Sequence, residues 1–259
     1  MQTAQVRKIG RRNRKANRVN WLQSLFFVLV SIGAGYLFLQ SNFFAIDTVQ
    51  VSGNKAVPTE EIKKLAGVPL GANIFKVELG QIENKIKVNP MVKKVVVERS
   101  FPSTIEISLE ERATIGLIPL RTKYLQVDVE GYCIGQVDNT KLNDYPMITG
   151  LKLDKVLPGQ QINNENIKSA VNYLDLIRRR YGLLQGKISE INVADDNDIK
   201  IYTIENVEVR LGNDQKIEDK LSLLNAFLSQ KYDKPVEYVD VSYDSTKITT
   251  KFVEQEEKN

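Results

Sequence analysis

The stretch VKKVVVERSFPSTIEISLEER, residues 92–112, raises two possibilities at once. Val and Ile alternate with polar residues on both sides of Phe101-Pro102, which predicts a β-hairpin. Glu98, Arg99, Glu110, Glu111 and Arg112 gather charge at its edges, which raises the question of a catalytic site. Val95, Val97, Ile105, Ile107 and Leu109 share one face, and Glu98, Glu106, Ser108 and Glu110 share the other. A slip of one residue would turn carboxylates into the apolar side, so burial sets the register. Pro102 falls in the turn, where its missing N–H does no harm. Neighbours along a strand face opposite ways, so Glu110 and Glu111 do not make a paired acid–base site. The charges read as the solvated face and the ends of a hairpin.

Working back from the hairpin, AIDTVQVSG predicts a strand with Ile46, Val49 and Val51 as its apolar positions, ended by Gly53-Asn54. PTEEIKKLAG predicts a short helix, with Pro58 and Thr59 at its start, Glu60 and Glu61 in its first turn and Gly67 past its end. VELGQIENKIKVNP predicts a second helix, with Leu79, Ile82 and Ile86 on one face and Asn89-Pro90 as the stop. Residues 44–112 therefore read as one β-α-α-β-β domain.

Further upstream the chain is uncharged from Val19 to Ile46. WLQSLFFVLVSIGAGYLFLQ, residues 21–40, is long enough to cross a bilayer core of about 30 Å at about 1.5 Å per residue. Trp21 and Tyr36 suit its interfaces. The apolar run is longer than a signal peptide's, which argues for an uncleaved anchor. Residues 1–20 carry Arg7, Lys8, Arg11, Arg12, Arg14, Lys15 and Arg18 and no acid. The positive-inside rule then puts this tail in the cytoplasm and the bulk of the chain outside. A nucleic-acid arm is the competing use of such a tail, and a membrane span directly after it argues against that use. Ser31 and Gly35 form a weak small-xxx-small pairing signal.

Downstream, residues 113–253 predict a mixed β-sheet domain with two helices. TIGLIPL, KYLQVDV, YCIGQV, ISEINV, DIKIYT, VEVRLG, VEYVDVSY and KITTKFV read as strands. NENIKSAVNYLDLIRRRYG is an amphipathic helix with Ile167, Ala170, Val171, Leu174 and Ile177 on one face, Arg178, Arg179 and Arg180 in its last turns and Gly182 as C-cap. The Arg triplet reads as a helix end, with an anionic partner as the alternative. DQKIEDKLSLLNAFLSQ is the second helix, with Ile217, Leu221, Leu224 and Leu228 apolar. Residues 254–259 read as a disordered polar tail.

Composition weighs against catalysis. Histidine is absent from the 259 residues, which removes the commonest general base and metal ligand. The single cysteine, Cys133, can form neither an intramolecular disulfide nor a thiolate cluster. Asp195, Asp196 and Asp198 lack the spacing of a calcium loop. No glycine-rich phosphate loop is present. The expectation is a non-enzyme with no catalytic, cofactor or metal residues.

The order and spacing of the blocks carry a resemblance. The basic tail, one span, FFAIDTVQVSGN and VVVERSFPSTIEISLEERA resemble the FtsQ/DivIB family of bacterial cell-division proteins. YLQVDVEGYCIG, YPMITG, VEVRLG and VEYVDVSYDS resemble the family's later blocks. The resemblance implies an α+β fold: one transmembrane helix, a β-α-α-β-β POTRA domain and a mixed β domain. It also implies a scaffold at the division septum. Its partners would be small bitopic proteins of the FtsL and FtsB/DivIC type and the septal peptidoglycan synthase complex. The lipid bilayer is implied as well, with no nucleic acid, small-molecule substrate or cofactor. The tyrosine-aspartate-serine pattern before the family's partner-binding strand matches Tyr243, Asp244 and Ser245. This implies a site at Tyr243, Ser245, Thr246, Ile248 and Thr250. The alternative function is that of a POTRA-bearing protein in polypeptide translocation or wall interaction.

Overall fold

The structure is a computed structural model, and it describes residues 21–138, 145–153, 155–213, 215–232, 235–243 and 246–253. The tail cations Arg7, Lys8, Arg11, Arg12, Arg14, Lys15 and Arg18, together with Asp244, Ser245 and residues 254–259, lie outside the described residues. The chain packs as two compact units. The described part of the first unit runs to Thr48 and adds Pro69–Val77 and Arg99–Thr104; the second holds Val49–Val68, Glu78–Glu98 and the chain from Ile105.

In the first unit, helix α1 (Trp21–Leu39) matches the apolar run, and none of its residues is buried. It is the only helix among the described residues long and apolar enough to cross a membrane. A 3-10 turn follows at Asn42–Phe44 and another lies at Ile74–Lys76. Backbone bonds hold the segments together: Ile46 N–H donates to Ala72 O at 2.9 Å, Gly71 N–H to Ile46 O at 2.8 Å and Asp47 N–H to Ser103 O at 2.9 Å.

Mostly in the second unit, with end residues in the first, β1 (Thr48–Ser52), β3 (Thr104–Glu111) and β2 (Val92–Ser100) form a three-stranded sheet in the order β1-β3-β2. Helices α2 (Thr59–Ala66) and α3 (Leu79–Ile86) pack on each other. The order β-α-α-β-β is the one the sequence predicts. Val95, Val97, Ile105, Ile107 and Leu109 are buried, so the alternation identifies the inner face of the hairpin. Phe101-Pro102 occupies its turn. Gly67 closes α2 in the left-handed conformation, its N–H on Lys63 O. Gly53 (φ +84°) ends β1, and a Cβ there would lie 2.0 Å from the Leu109 carbonyl oxygen, so only glycine fits.

Among the described residues the larger sheet has nine strands in the order β12-β11-β10-β9-β8-β7-β4-β5-β6. They are β4 (Gly116–Leu120), β5 (Lys123–Val127), β6 (Cys133–Val137), β7 (Met147–Thr149), β8 (Ile188–Asn192), β9 (Ile199–Thr203), β10 (Glu208–Gly212), β11 (Val236–Asp240) and β12 (Thr249–Phe252). Three pairs are parallel, β4 with β7, β7 with β8 and β10 with β11. Parallel neighbours need crossovers. Helix α4 (Glu165–Arg180) and the short α5 (Gly182–Gln185) connect β7 to β8, and α6 (Ile217–Leu228) connects β10 to β11. Ile167, Ala170, Val171, Leu174 and Ile177 of α4 and Leu221 and Leu224 of α6 join the apolar residues of the sheet in one core. Cys133 is fully buried in that core, and burial pushes its thiol pKa up.

Two local expectations change. YPMITG contains a strand, β7, which sequence periodicity does not reveal because only three residues pair. Gly182 does not cap α4; Tyr181 takes that place, its N–H on Ile177 O, and Gly182 starts α5 instead. Asn164 caps the other end of α4, accepting from Ile167 N–H.

Candidate functional site

The charges of the opening stretch resolve into two clasps. Glu111, at the end of β3, accepts backbone N–H bonds from Lys55 and Ala56 at 2.8 Å and from Val57 at 3.0 Å. These are the donors of the turn between β1 and α2, so the carboxylate closes that loop onto the hairpin. Burial pushes its pKa up, but the N–H groups of Ala56, Val57 and Lys55 outweigh it and hold it below the usual glutamate value. Glu110, its neighbour, points elsewhere, within 3.6 Å of Lys93. The two carboxylates do separate jobs.

Arg112 begins the second clasp. Its N–H donates to Met91 O at 2.7 Å, and its guanidinium donates to the Asp128 carboxylate and, at 2.9 Å, to Glu130. The guanidinium carbon sits 3.8 Å from the centre of the Tyr132 ring. Asp128 is buried, and its other oxygen accepts from Glu130 N–H at 2.9 Å and Tyr132 N–H at 2.8 Å. Lys93 of β2 reaches Glu130 at 3.1 Å. The Arg112 bond, then the Lys93 bond, hold Glu130 below the usual glutamate value. These groups are saturated by one another, and they fix the hairpin to the turn between β5 and β6.

The Arg triplet is likewise engaged. Arg178 donates to Asp175 at 2.6 Å, Arg179 bonds the other Asp175 oxygen and Arg180 bonds Glu218 of α6. The helix-end reading accounts for all three. Asp195 and Asp198 sit in the β8–β9 turn, where Asp195 accepts from Asn197 N–H and Asp198 pairs with Lys200. An open depression of about 310 Å³ is lined by Ile115, Tyr145, Leu174, Ile177 and Arg178, and its cation is the one that Asp175 holds.

The nine-stranded sheet has two edges. At β6 the chain covers the first strand residue: Cys133 N–H donates to Gln160 O at 2.9 Å, Gly159 N–H to Cys133 O at 2.8 Å, and Tyr132, just before the strand, bridges Gln161. At the other edge lies β12, antiparallel to β11, with Phe252 opposite Val236, Thr250 opposite Val239 and Thr249 opposite Asp240. The register shift between Val236 and Tyr238 puts the extra residue in β11, so β12 itself is regular. Val253 N–H donates inward, to Pro235 O at 2.9 Å. Backbone groups of successive strand residues alternate in direction, so the N–H groups of Phe252 and Thr250 point away from β11. That is a row of donors and acceptors on the outer edge.

The residues singled out from the sequence fall into distinct environments. Tyr243 is 96% exposed. Thr246 is exposed, Thr250 is half-buried in β12, and Ile248 packs against the core just before the strand. Ser245 lies outside the described residues. Sequence reasoning missed what supports this edge. Phe252 lies 5.9 Å from the Tyr232 ring, which stacks on Phe227 of α6 at 4.5 Å. Arg210 of β10 lies over the ring of Tyr238 on β11. Lys251 pairs with Glu237 at 2.8 Å. Aromatic residues at 227, 232 and 252 were visible, but nothing local joins them.

With this geometry in hand, two family models match the chain: the FtsQ-type POTRA domain over residues 44–112 and the C-terminal domain of cell division protein FtsQ/DivIB over residues 117–242. The chain is similar to cell division protein FtsQ of Syntrophotalea carbinolica, 28% identical over 83% of this chain and 77% of that protein. It is also similar to cell division protein DivIB of Clostridium tetani, 26% identical over 73% of this chain and 71% of the relative. A solved structure, the major extracytoplasmic domain of the trans isomer of DivIB from Geobacillus stearothermophilus, aligns over 48% of this chain and 99% of its own, with 15% identity and a TM-score of 0.33. The two matched domains follow one another in the order of the two β-sheets described above, and the chain belongs to the FtsQ/DivIB family of bacterial cell division proteins.

Proposed function

We propose that this chain is a membrane-anchored, non-enzymatic scaffold of the division complex. Its tail lies in the cytoplasm, α1 spans the bilayer, and residues 44–112 and 113–253 form two extracytoplasmic domains concentrated at the septum. There it binds small bitopic proteins of the FtsL and FtsB/DivIC type and helps to bring the septal peptidoglycan synthases under control.

The observation that carries the reading is the outward row of backbone groups on β12. A partner segment that adds as a further strand gains main-chain hydrogen bonds, while alternate side chains supply selectivity. Tyr243, Ser245, Thr246, Ile248 and Thr250 are the residues proposed to meet it. Tyr243 is a large ring held almost wholly in solvent ahead of that strand, which suits an anchor for a partner. The β6 edge is a poorer candidate, since its first residue is already paired.

Titration of the full chain in nanodiscs with a purified partner ectodomain tests the reading. Thr250→Pro deletes an outward donor and leaves the β11 ladder intact, and weakens capture by about tenfold or more, the equivalent of about 1.4 kcal/mol. Ile248→Pro acts on a core-packed residue, so it is informative only with a melting curve beside it. Removal of residues 254–259 leaves capture unchanged. Normal binding by a folded Thr250→Pro variant sinks the β12 site.

A further inference from the structure

We infer that the first unit is bedded in the membrane interface by a ladder of phenylalanine rings that continues α1 beyond its end. The inference rests on the reading of α1 as a bilayer span.

The ladder is contiguous. Phe38, in the last turn of α1, lies 5.7 Å from Phe43 and 5.4 Å from Phe44. Phe44 lies 5.1 Å from Phe75, and Phe75 lies 5.3 Å from Phe101. Phe44, at the junction, is buried, but Phe43, Phe75 and Phe101 are 58%, 44% and 59% exposed. Exposed apolar side chains scattered singly need no explanation, but a connected run of aromatic rings does.

Three separate segments supply these rings, and polar bonds lock all three to the helix end. Asn73 Nδ2 donates to the carbonyl of Leu39 at 2.7 Å, which satisfies one of the carbonyls left over where α1 stops. Arg99 donates from Nε to Ile74 O at 2.8 Å and from Nη2 to Val77 O at 2.7 Å, so the hairpin end is tied to the Phe75 turn. Asp47 N–H on Ser103 O holds the Phe101 turn to the stretch after the helix. The rings therefore cannot swing away from α1 as they would on a loose linker.

Their depth follows from that rigidity. Nineteen residues at about 1.5 Å each span about 28 Å, close to the hydrocarbon thickness, so Leu39 sits at its boundary. The headgroup layer beyond is about 5–7 Å thick on each side. Phe43, one ring step of 5.7 Å from Phe38, falls within it, and the proposed ladder runs from there along the bilayer surface through Phe75 and Phe101, which keeps those rings at the same depth. Aromatic side chains are favoured at this depth. Lys76, exposed on the same turn as Phe75, adds a cation suited to lipid phosphates. The occupant of the ladder is the outer leaflet, because the ladder is continuous with an uncharged, predominantly apolar helix none of whose residues is buried.

The test uses the full chain in vesicles of phosphatidylcholine brominated near the top of the acyl chains. Trp21, the single tryptophan, reports on α1. Phe75→Trp and Phe101→Trp are each made in a Trp21→Phe background. Both are expected to lose emission as fully as Trp21 does in the unaltered chain, and to resist iodide added outside. Phe43→Trp gives the same reading should either turn variant unfold by circular dichroism. If Trp21 is quenched while the new tryptophans answer to iodide and not to bromine, the span stands and the bedded ladder is overturned, leaving the surface open to a protein. If Trp21 is not quenched either, the span itself fails, and the inference with it.

Discussion

The two ends of the nine-stranded sheet are finished in opposite ways. At the β6 end, the Gly159–Gln161 stretch pairs with Cys133, the first residue of the strand, and with Tyr132 before it, and the preceding turn is pinned by Asp128, Arg112 and Glu130. At the β12 end, an inner ladder and a ring stack hold the strand from within, and among the described residues its outer side carries no paired strand. An exposed edge is a hazard that proteins commonly cover. That the β6 edge is capped at its first residue while β12 is bare among the described residues is in keeping with the proposed use of β12.

Amide exchange should break or confirm that contrast most directly. The Cys133 N–H, bonded to Gln160, should exchange with the core, whereas the N–H groups of Thr250 and Phe252 should exchange about a hundredfold faster or more. Saturating partner should slow those two and leave Cys133 as it was. Equal protection at both edges without partner would remove the distinction.

Next in size is Asp128→Ala. It leaves a largely buried guanidinium with Glu130 as its one carboxylate and strands two backbone N–H groups, and truncating one partner of a buried pair costs about 3–5 kcal/mol. A denaturant midpoint within error of the parent would show that the turn does not seal the β6 end.

Acid should act on this turn and on the Glu111 clasp alike. Glu130 and Glu111 both have folded pKa values below the usual 4.5. A depressed carboxylate contributes stability that is present above the unfolded value and lost as pH falls through the folded one. Melting temperature should therefore drop as pH falls below 4.5, and Glu111→Gln and Glu130→Gln should each flatten that drop. A parallel curve for either variant would exclude its carboxylate as a source.

The smallest effect belongs to the bare edge. Lys251→Ala removes a pair with Glu237 in which both side chains are about half exposed, and such pairs contribute under about 1 kcal/mol. Stability should hardly move, and partner capture should persist. A large loss of capture would mean that side chains of the outer edge, rather than its backbone, make the contact.

Much of this molecule was legible in the sequence. The hairpin's inner face, the apolar helix, α2 with its Gly67 stop and the apolar faces of α4 and α6 all follow from local patterns. Apart from α1, an unbroken uncharged run, each is a periodic placement of apolar residues within a window of 8 to 16 residues, and the periodicity is itself the requirement for burying one face. The candidate site was legible only as a position near the end of the chain. That β12 is an edge depends on strand order, which brings β12 and β6 to opposite ends of a sheet through three parallel pairings.

The sequence by itself determined the strands, the main helices and the uncharged span, because those depend on neighbours a few residues away. Tertiary structure alone decided the work of the charges in the opening stretch. Glu111 meets N–H groups 54 to 56 residues distant, and Arg112 meets carboxylates 16 and 18 residues away. Alternation tells which way a side chain points, but not which donors the rest of the fold brings to meet it. The same limit hid β7, whose three residues have no period to read and become a strand only because β4 and β8 flank them.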